Sequence, residues 1–416
     1  MKVIVAEAGT ANNVGSMALI ENAIAIAQEK HPGCCVTVFC LDSKSVSETL
    51  EKDCMNKNVT VMDDLFVIPS GGKLKKFFWL FQVICWILYS RLTLNFTKHI
   101  SKFFRGRRKK NLQEVELAEY VYCIGAERIN DIYYKTALLS LYAIGTYIKM
   151  GKKLVHLSLT IGPVFNKSTI CMAKNILNNS HAIFVRDQKS FDILKEWDCK
   201  APCQFNSYDI ALLQRINPLK ANGLLAEFGI RPGFVGVSCI NWLFRKANGP
   251  VRQNEYEQAI AQTLDYIIER YKFQIVFTPT VVGVGSSDDV CIGKHIIQKM
   301  NNSAEVIAIK RLLSPVEMAT LYSQCSFSIV TRMHAAILCS GAGKHPIIAI
   351  NYLYKLREYM KNILCEEYSI DIDYTNSTEL KSFVDRLMEN YNQEYTRLEN
   401  RQTYIKNRII ENLQFF

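Results

Sequence analysis

No Cys-x-x-Cys pair occurs in this 416-residue sequence, although it contains fourteen cysteines. That absence removes the zinc-ribbon and thioredoxin-like readings. The cysteines are scattered, several inside apolar runs such as "FQVICWILY" and "HAAILCSG", where a thiol serves as a small core residue, and they read as free thiols of a reducing cytosol. One cluster, "HPGCCVTVFC", gathers His31, Cys34, Cys35 and Cys40. Adjacent residues of a strand face opposite ways, so packing rather than metal binding is expected there, and no metal site is assigned. No apolar run reaches the roughly 20 residues of a membrane-spanning helix. No charged, cleavable leader precedes the opening "MKVIVAEAG", which has the pattern of a strand, so the protein is expected to stay in the cytoplasm. Low-complexity segments are missing as well: 49% hydrophobic and 21% charged residues fit a packed globular enzyme, and the length fits two domains.

Acidic residues are absent from one long stretch. Between Asp64 and Glu114 there are none, while Lys73, Lys75, Lys76, Arg91, Lys98, Lys102, Arg105, Arg107, Arg108, Lys109 and Lys110 supply eleven positive charges, equal to the net +11 of the whole chain. Within it lies "KLKKFFWLFQVICWILYSRLTLNFTKHISKFFRGRRKK", whose apolar block from Phe77 to Tyr89 is interrupted only by Gln82. Two readings stand for residues 73–110. One is an interfacial anchor, with rings entering the headgroup boundary and cations meeting anionic lipid. The other is a pair of core helices with a solvated basic tail. No nucleic-acid recognition motif accompanies the patch, which sets that partner aside.

What is present is a regular alternation. "KVIVAE", "CVTVFC", "YVYCIG", "KLVHLSL" and "AIFVR" in the first half, and "FVGVSCI", "QIVFTPT", "EVIAIK", "FSIVT" and "PIIAINY" in the second, are short β-branched runs separated by helical patterns such as "QAIAQTLDYIIERYK". Such βα units predict an α/β fold of two Rossmann-like domains with parallel sheets covered on both faces. Pro218, Gly223, Pro232 and Gly233 punctuate a less regular stretch from Leu212 to Phe234, which places the joint there. The expected organisation is an N-terminal domain at 1–215, a C-terminal domain at 216–377 and polar amphipathic helices at 378–416 that pack back on the first domain.

In open parallel sheets, ligands sit beyond the carboxyl ends of the strands. After the first strand comes "AEAGTANNVGSMAL", where Gly9, Gly15, Asn12 and Asn13 permit a tight turn and a helix begins near Ser16, a cradle for an anion or a sugar. It has neither the Lys-Ser/Thr pair of a phosphate-binding P-loop nor a Gly-x-Gly-x-x-Gly spacing. "AIFVRDQKSF" brings Arg186 and Asp187 to a strand end, with an Asp helix cap beside a solvated arginine as the plain alternative. "FTPTVVGVGSSDDV" brings Thr280 and the pair Asp288, Asp289, which as a plain alternative cap the next helix. "SFSIV" followed by "TRMHAAIL" is a buried strand, with Thr331 as the expected N-cap and Arg332 and His334 at the sheet's edge. "IIAINYLYK" then adds Lys355 just past the next strand. A guanidinium two residues from an imidazole is an anion clamp beside a candidate acid.

These pieces resemble the polysaccharide pyruvyl transferase family. The most specific stretch runs from "RMHAAIL" through "GKHPIIAINYLYK", similar to the family's Arg-x-His-Ala signature followed by Gly, Pro and Tyr-x-x-Lys. "NVGSMA", "VRDQKS", "YDIALL" with Asp209, and "SSDD" support it. The family carries Asp where this chain has Ser16, and a triple-glycine turn where it has "YCIGAERIND"; both departures fall in the half that holds the acceptor. The resemblance implies a GT-B-like pair of domains and transfer of pyruvate from phosphoenolpyruvate, as co-substrate and without a cofactor, to a sugar such as galactose on a lipid-linked glycan, forming a cyclic ketal in surface or capsular polysaccharide biosynthesis. It implies catalytic roles for His334, Arg186 and Lys355, and substrate binding by Arg332, Asn13, Gly15, Ser16, Asp131 and Thr280. A lipid-linked acceptor would give the basic segment a purpose at the inner face of the cell membrane. The alternatives are a GT-B glycosyltransferase using a nucleotide sugar and a non-catalytic glycan- or membrane-binding member of the fold.

Overall fold

The computed structural model describes residues 1–69, 71–125, 128–132, 134–242, 244, 248–283, 285 and 288–416, with residues 134–136 described by backbone alone. Two compact units divide the chain. The first comprises Met1–Ala11, Leu19–Ile210 and Glu411–Phe416; the second comprises Asn12–Ala18 and Ala211–Ile410.

The first unit holds seven strands: β1 (Lys2–Ala8), β2 (Cys35–Cys40), β3 (Val59–Asp63), β4 (Tyr120–Cys123), β5 (Lys153–Leu159), β6 (Ala182–Val185) and β7 (Cys203–Asn206). They form one parallel sheet in the order β3-β2-β1-β4-β5-β6-β7. The second unit holds β8 (Phe234–Ser238), β9 (Ile275–Phe277), β10 (Val306–Ala308), β11 (Cys325–Val330), β12 (Ile347–Asn351) and β13 (Ser369–Asp371). Their order is β10-β9-β8-β11-β12-β13, again all parallel. Parallel neighbours require crossover connections, which place helices over the sheet faces. The central strands are accordingly buried along their length: every residue of β6, β8, β9 and β12 is buried. This is why the sequence shows them as unbroken apolar runs rather than as alternating ones.

Strand order reverses once in each sheet, between β1 and β4 in the first and between β8 and β11 in the second. Connections leave in opposite directions at that point, so a crevice opens beyond the carboxyl ends of the two strands. It fixes where each unit has room for a ligand.

The division differs in detail from the one expected. It falls after Ile210 rather than after residue 215. The stretch that resembled a linker contains the helix Pro218–Phe228, with Pro218 in its first turn and Gly229 closing it in the left-handed conformation at φ 68°. Proline at the start and glycine past the end are what a helix of this length uses as boundaries, so the punctuation marked an element and not a joint. The two C-terminal helices are Ser377–Glu389 and Tyr391–Leu413. Residues up to Ile410 belong to the second unit, where Asp385 accepts hydrogen bonds from Tyr266 and Tyr271, and only Glu411–Phe416 belongs to the first. There Phe416 meets the Tyr122 and Phe184 rings at 5.8 and 5.3 Å.

Candidate active site

β11 ends at Val330, which pairs with Ser238 of β8 on one side and Ala349 of β12 on the other. The next residue, Thr331, is not the helix cap its type suggested. It is fully buried, its amide donates to the Ser238 carbonyl at 2.7 Å, and its hydroxyl shares a hydrogen bond with the Tyr256 hydroxyl at 2.8 Å. The N-cap position falls to Arg332, before the helix Met333–Ile337, which continues as a π-helical turn over Leu338–Ala342. Such turns recur at functional sites. Moving the cap by one residue places the Arg332 side chain at the strand end, at the reversal of the sheet.

Arg332 is held there by Asp289. The Asp289 Oδ1 accepts from Arg332 Nη2 at 2.6 Å and from Nε at 3.1 Å. Its Oδ2 accepts from the Thr280 amide at 2.9 Å, the Thr280 hydroxyl at 3.0 Å and the Val281 amide at 3.0 Å. Burial raises the Asp289 pKa, with the Arg332 charge pulling against it. Burial likewise works against the Arg332 charge, but Asp289, with Tyr352 and Cys239, outweighs it and leaves the guanidinium pKa above its ordinary value. The two carboxylates of "SSDD" thus divide the labour. Asp288 is the helix cap, accepting from the Val290 amide at 2.9 Å, whereas Asp289 positions an arginine. The two serines lie outside the described residues.

His334 is seated by the other end of the sequence. A Cβ built on Gly15 would stand 2.1 Å from His334 Nδ1 and 2.2 Å from Cγ, so only glycine lets the imidazole occupy that place. Asn13 caps the helix Val14–Lys30: its Oδ1 accepts from the Gly15 amide at 2.9 Å and the Ser16 amide at 3.2 Å. Within the second unit the turn is held in place, with the Val14 amide donating to the Thr280 carbonyl at 3.0 Å and Asn13 bridging Val281. Asn13, Gly15, Ser16, Thr280, Arg332 and His334 are therefore brought together in one unit, although they span 322 positions of the sequence. Lys355 lies half-buried in the first turn of the helix Tyr354–Asn362, directly after β12.

Residues that the sequence did not single out complete this edge. Ser238 Oγ at the end of β8, Asn241 Oδ1 and Asn351 Oδ1 at the end of β12 are buried with no hydrogen-bond partner among the described residues. Buried polar atoms are nearly always paired, so three such atoms beside the Arg332 strand end set this edge apart from the surrounding core. For Ser238 and Asn351 the sequence signal was their position at strand ends; their type gave none.

Arg186 and Asp131 belong to the first unit. Arg186 is not solvated: it is 3% exposed, with Nη1 donating to Asp209 at 2.8 Å and Nε to the Thr160 hydroxyl at 2.6 Å. Asp187 is the helix cap, accepting from the Ser190 amide at 2.8 Å. Asp131 anchors the start of the helix Lys167–Asn178, accepting from the Phe165 amide, the Asn166 amide at 2.7 Å and the Thr169 hydroxyl at 2.7 Å. Burial opposes its charge, but these donors prevail and hold its pKa below the usual carboxylate range. In the "YCIGAERIND" turn, Ala126 and Glu127 lie outside the described residues.

The reversal of the first sheet has its own unusual carboxyl. Glu7 sits in the left-handed conformation, φ 63°, where the β1–β2 register shifts between Val5 and Ala8. It accepts from the Ser140 hydroxyl and is 7% exposed. Burial pushes its pKa up to about 7, against the Arg128 charge and the Ser140 and Gly125 hydrogen bonds, with Asp64 adding to the rise. Gly125 is glycine for a reason: a Cβ there would stand 2.4 Å from Arg128 and 2.7 Å from Glu7. Among the described residues, no group of three or more His, Cys, Asp or Glu is placed to hold a metal ion.

Fold and site define a pair of parallel-sheet α/β domains of GT-B-like type, the second carrying an arginine and a histidine at its strand reversal. Residues 13–354 match the polysaccharide pyruvyl transferase family, and the chain belongs to that family. It is similar to the amylovoran biosynthesis protein AmsJ of Erwinia amylovora, 25% identical over 254 residues that make up 58% of this chain and 60% of AmsJ. The match thus spans less than two thirds of that relative. Among solved structures, HepE of Anabaena in complex with UDP has a TM-score of 0.55 at 16% identity, covering 100% of this chain and 98% of HepE. The UDP-GlcNAc 2-epimerase from Neisseria meningitidis bound to UDP-GlcNAc has a TM-score of 0.57 at 11% identity, covering 99% and 100%. These two likenesses are of fold.

Two predictions follow from the geometry. Gly15→Ala forces the His334 ring aside and, on the catalytic role expected for that histidine, should lower turnover about 10²-fold, the effect of a misplacement of about 1 Å, with an unchanged circular dichroism spectrum. Unaltered kcat would show that the ring's placement is irrelevant. Glu7 holds its proton in the folded state up to about pH 7, whereas the unfolded chain releases it near 4.5. Its stabilising contribution is complete below pH 4.5 and lost as pH rises through 7, a difference on the order of 3 kcal/mol. Glu7→Gln should therefore be more stable than the parent at pH 8 by a margin that vanishes near pH 4; urea midpoints across that range check it, and a pH-independent margin would refute it.

Proposed function

We propose that the protein transfers the pyruvyl group of phosphoenolpyruvate to a sugar of a lipid-linked glycan intermediate, galactose by likeness to the family, closing a cyclic ketal and releasing phosphate in surface polysaccharide biosynthesis. The observation that carries this reading is the pairing at one strand end of a guanidinium fixed by Asp289 with an imidazole seated on Gly15. Phosphoenolpyruvate bears a carboxylate and a phosphate on three carbons, and a planar fork held in one orientation grips either group in bidentate fashion. Lys355 supplies a further cation from the next strand end. By likeness to the family, Arg186 also has a catalytic role; within the first unit its guanidinium is held by Asp209 and Thr160. Asn13 and Ser16 contribute polar groups at the helix start, and Thr280 and Asp131 act through the segments they hold in place.

In the step proposed, the His334 imidazolium gives a proton to the donor's methylene carbon, and the adjacent carbon accepts the oxygen of one sugar hydroxyl. The bond from that carbon to the phosphate oxygen then breaks as the second hydroxyl oxygen attacks. Two hydroxyl protons are released: one restores His334 and the other leaves on hydrogen phosphate. Of the donor's three negative charges, one stays on the ketal carboxylate and two depart. General acid catalysis of this kind contributes about 10² to 10⁴ in rate. The step is drawn with protein groups alone, and it would take place at the cytoplasmic face of the membrane that carries the acceptor.

A second reading, transfer from a nucleotide sugar, is favoured by the UDP and UDP-GlcNAc in the similarly folded structures. It predicts tight UDP binding and no phosphate release from phosphoenolpyruvate. Incubation with phosphoenolpyruvate and galactoside acceptors, read by mass spectrometry for the added pyruvate and by phosphate assay, separates the two. His334→Ala is expected to abolish both signals while leaving the fold intact, and retained turnover would remove the histidine from the reaction. Arg332→Lys is expected to raise the donor KM on the order of tenfold or more, because a point charge cannot replace the fork.

A further inference from the structure

The helix Lys73–Thr93 is apolar on two opposite sides, and only one of them is covered. Its inner side is Val83, Trp86 and Ser90, at spacings of three and four. Trp86 meets the rings of Phe66 at 5.0 Å, Phe104 at 5.7 Å and Tyr142 at 5.8 Å, and the Ser90 and Tyr142 hydroxyls share a hydrogen bond at 2.7 Å. The helix is thereby fixed to the first unit along one stripe. The outer side is Leu74, Phe77, Phe81, Ile84, Leu88 and Leu92, at spacings of three, four, three, four and four, and these are between 48% and 70% exposed. Side chains at such spacings share one face of a helix. The core reading of the sequence therefore holds for one stripe and fails for the other.

The surroundings of the outer stripe are cationic. Lys73, Lys75 and Lys76 stand in its first turn and Arg91 in its last. Beyond it the chain carries Lys98, Lys102 and Arg105, with Phe96 88% and Phe103 42% exposed. The Tyr89 and Phe103 rings lie 6.4 Å apart, which sets Phe103 beside the stripe, and Lys102 Nζ lies 5.2 Å from the centre of the Phe103 ring. No acidic residue falls between 64 and 114. Among the described residues, no helix is long and apolar enough to cross a membrane.

We propose that this helix lies in the plane of an anionic bilayer surface, its outer stripe entering the headgroup and acyl boundary and its flanking lysines and arginines meeting lipid phosphates. An exposed apolar stripe of this length asks for a cover, and its chemistry selects which one. A second copy of the chain would bring the same face against itself about a two-fold axis. That would set the helix's own Lys73, Lys75, Lys76 and Arg91 against their copies with no acidic residue on the helix to offset them, which is repulsive. An anionic bilayer satisfies both features at once: rings and aliphatic chains leave water, and each cation finds a negative partner. The proposal stands on the helix itself and takes its purpose from the lipid-linked acceptor proposed above.

The test uses the full chain and sedimentation with vesicles of phosphatidylcholine alone or with 30% phosphatidylglycerol. Binding is expected to the anionic vesicles, to weaken steeply between 50 and 500 mM salt, and to be near zero on phosphatidylcholine; this comparison needs no variant. Lys73→Gln, Lys75→Gln and Lys76→Gln combined should weaken binding about 10²-fold or more. Phe77→Ser, Phe81→Ser and Ile84→Ser combined should weaken it at least tenfold, with an unchanged circular dichroism spectrum expected because the three are solvent-facing. Absence of binding by the parent chain, or equal binding by the parent and both variants, overturns the proposal. So does a concentration-dependent dimer that the Phe/Ile variant abolishes. Ketal formation on a soluble galactoside should be unchanged in the Phe/Ile variant and reduced on a vesicle-embedded acceptor. Loss of vesicle binding with soluble turnover retained separates failure at the surface from failure of the reaction.

Discussion

The His334 imidazole occupies the space that any side chain at position 15 would need. Much of the second unit's working edge depends on that one exclusion. For the ring to rest against a backbone, the helix start at Asn13–Ser16 has to be brought to β11. The backbone bonds from Val14 to Thr280 and between Asn13 and Val281 do this. Those bonds place Thr280 and Val281, whose amides converge on Asp289, and Asp289 in turn fixes Arg332. The imidazole and the guanidinium are thus positioned by one connected network that begins at a glycine and ends at an arginine. Such a network is costly to interrupt, because each buried member that loses a partner must be desolvated without compensation.

Burying Asp289 with Arg332 carries a desolvation penalty that the attraction between them offsets only when geometry and further hydrogen bonds are good. Here the carboxylate accepts from two guanidinium nitrogens, two amides and a hydroxyl. The arrangement is less a source of stability than of orientation: the carboxylate holds the fork in one direction. The Ser238, Asn241 and Asn351 oxygens nearby have no hydrogen-bond partner among the described residues.

The strands were legible because burial on both faces writes itself as a run of β-branched residues, and the parallel order follows from the helices between them. Arg332 and His334 were legible because polar residues directly after such a run are conspicuous. Their supports were not. Nothing local links Gly15 to His334 across more than 300 positions, and an Asp before a helix looks the same whether it caps, as Asp288 does, or holds an arginine, as Asp289 does. Thr331 had the composition of a cap and instead pairs with Tyr256, a partner from the helix Gly249–Tyr271 that only the tertiary structure supplies. The helix Lys73–Thr93 was ambiguous for a different reason. Periodicity reports that a helix has apolar faces, and it is silent on which of two opposite faces is covered.

Each sheet, taken by itself, collects its departures from ordinary packing at the pair of strands where its order reverses. In the second, the β8 and β11 ends carry an unpaired serine, a buried threonine and the clamped arginine. In the first, the β1 and β4 ends carry a left-handed glutamate whose carboxyl resists ionisation, and a glycine with no room for a Cβ. A strained non-glycine backbone and a perturbed carboxyl both cost stability, and neither improves the core that surrounds them. Helices cover the faces of a doubly wound sheet, but the crevice at a reversal is the one edge they leave open, so residues there are released from the demands of close packing. The two reversals therefore mark one chemical environment in each unit, cationic in the second and a proton-holding carboxyl in the first.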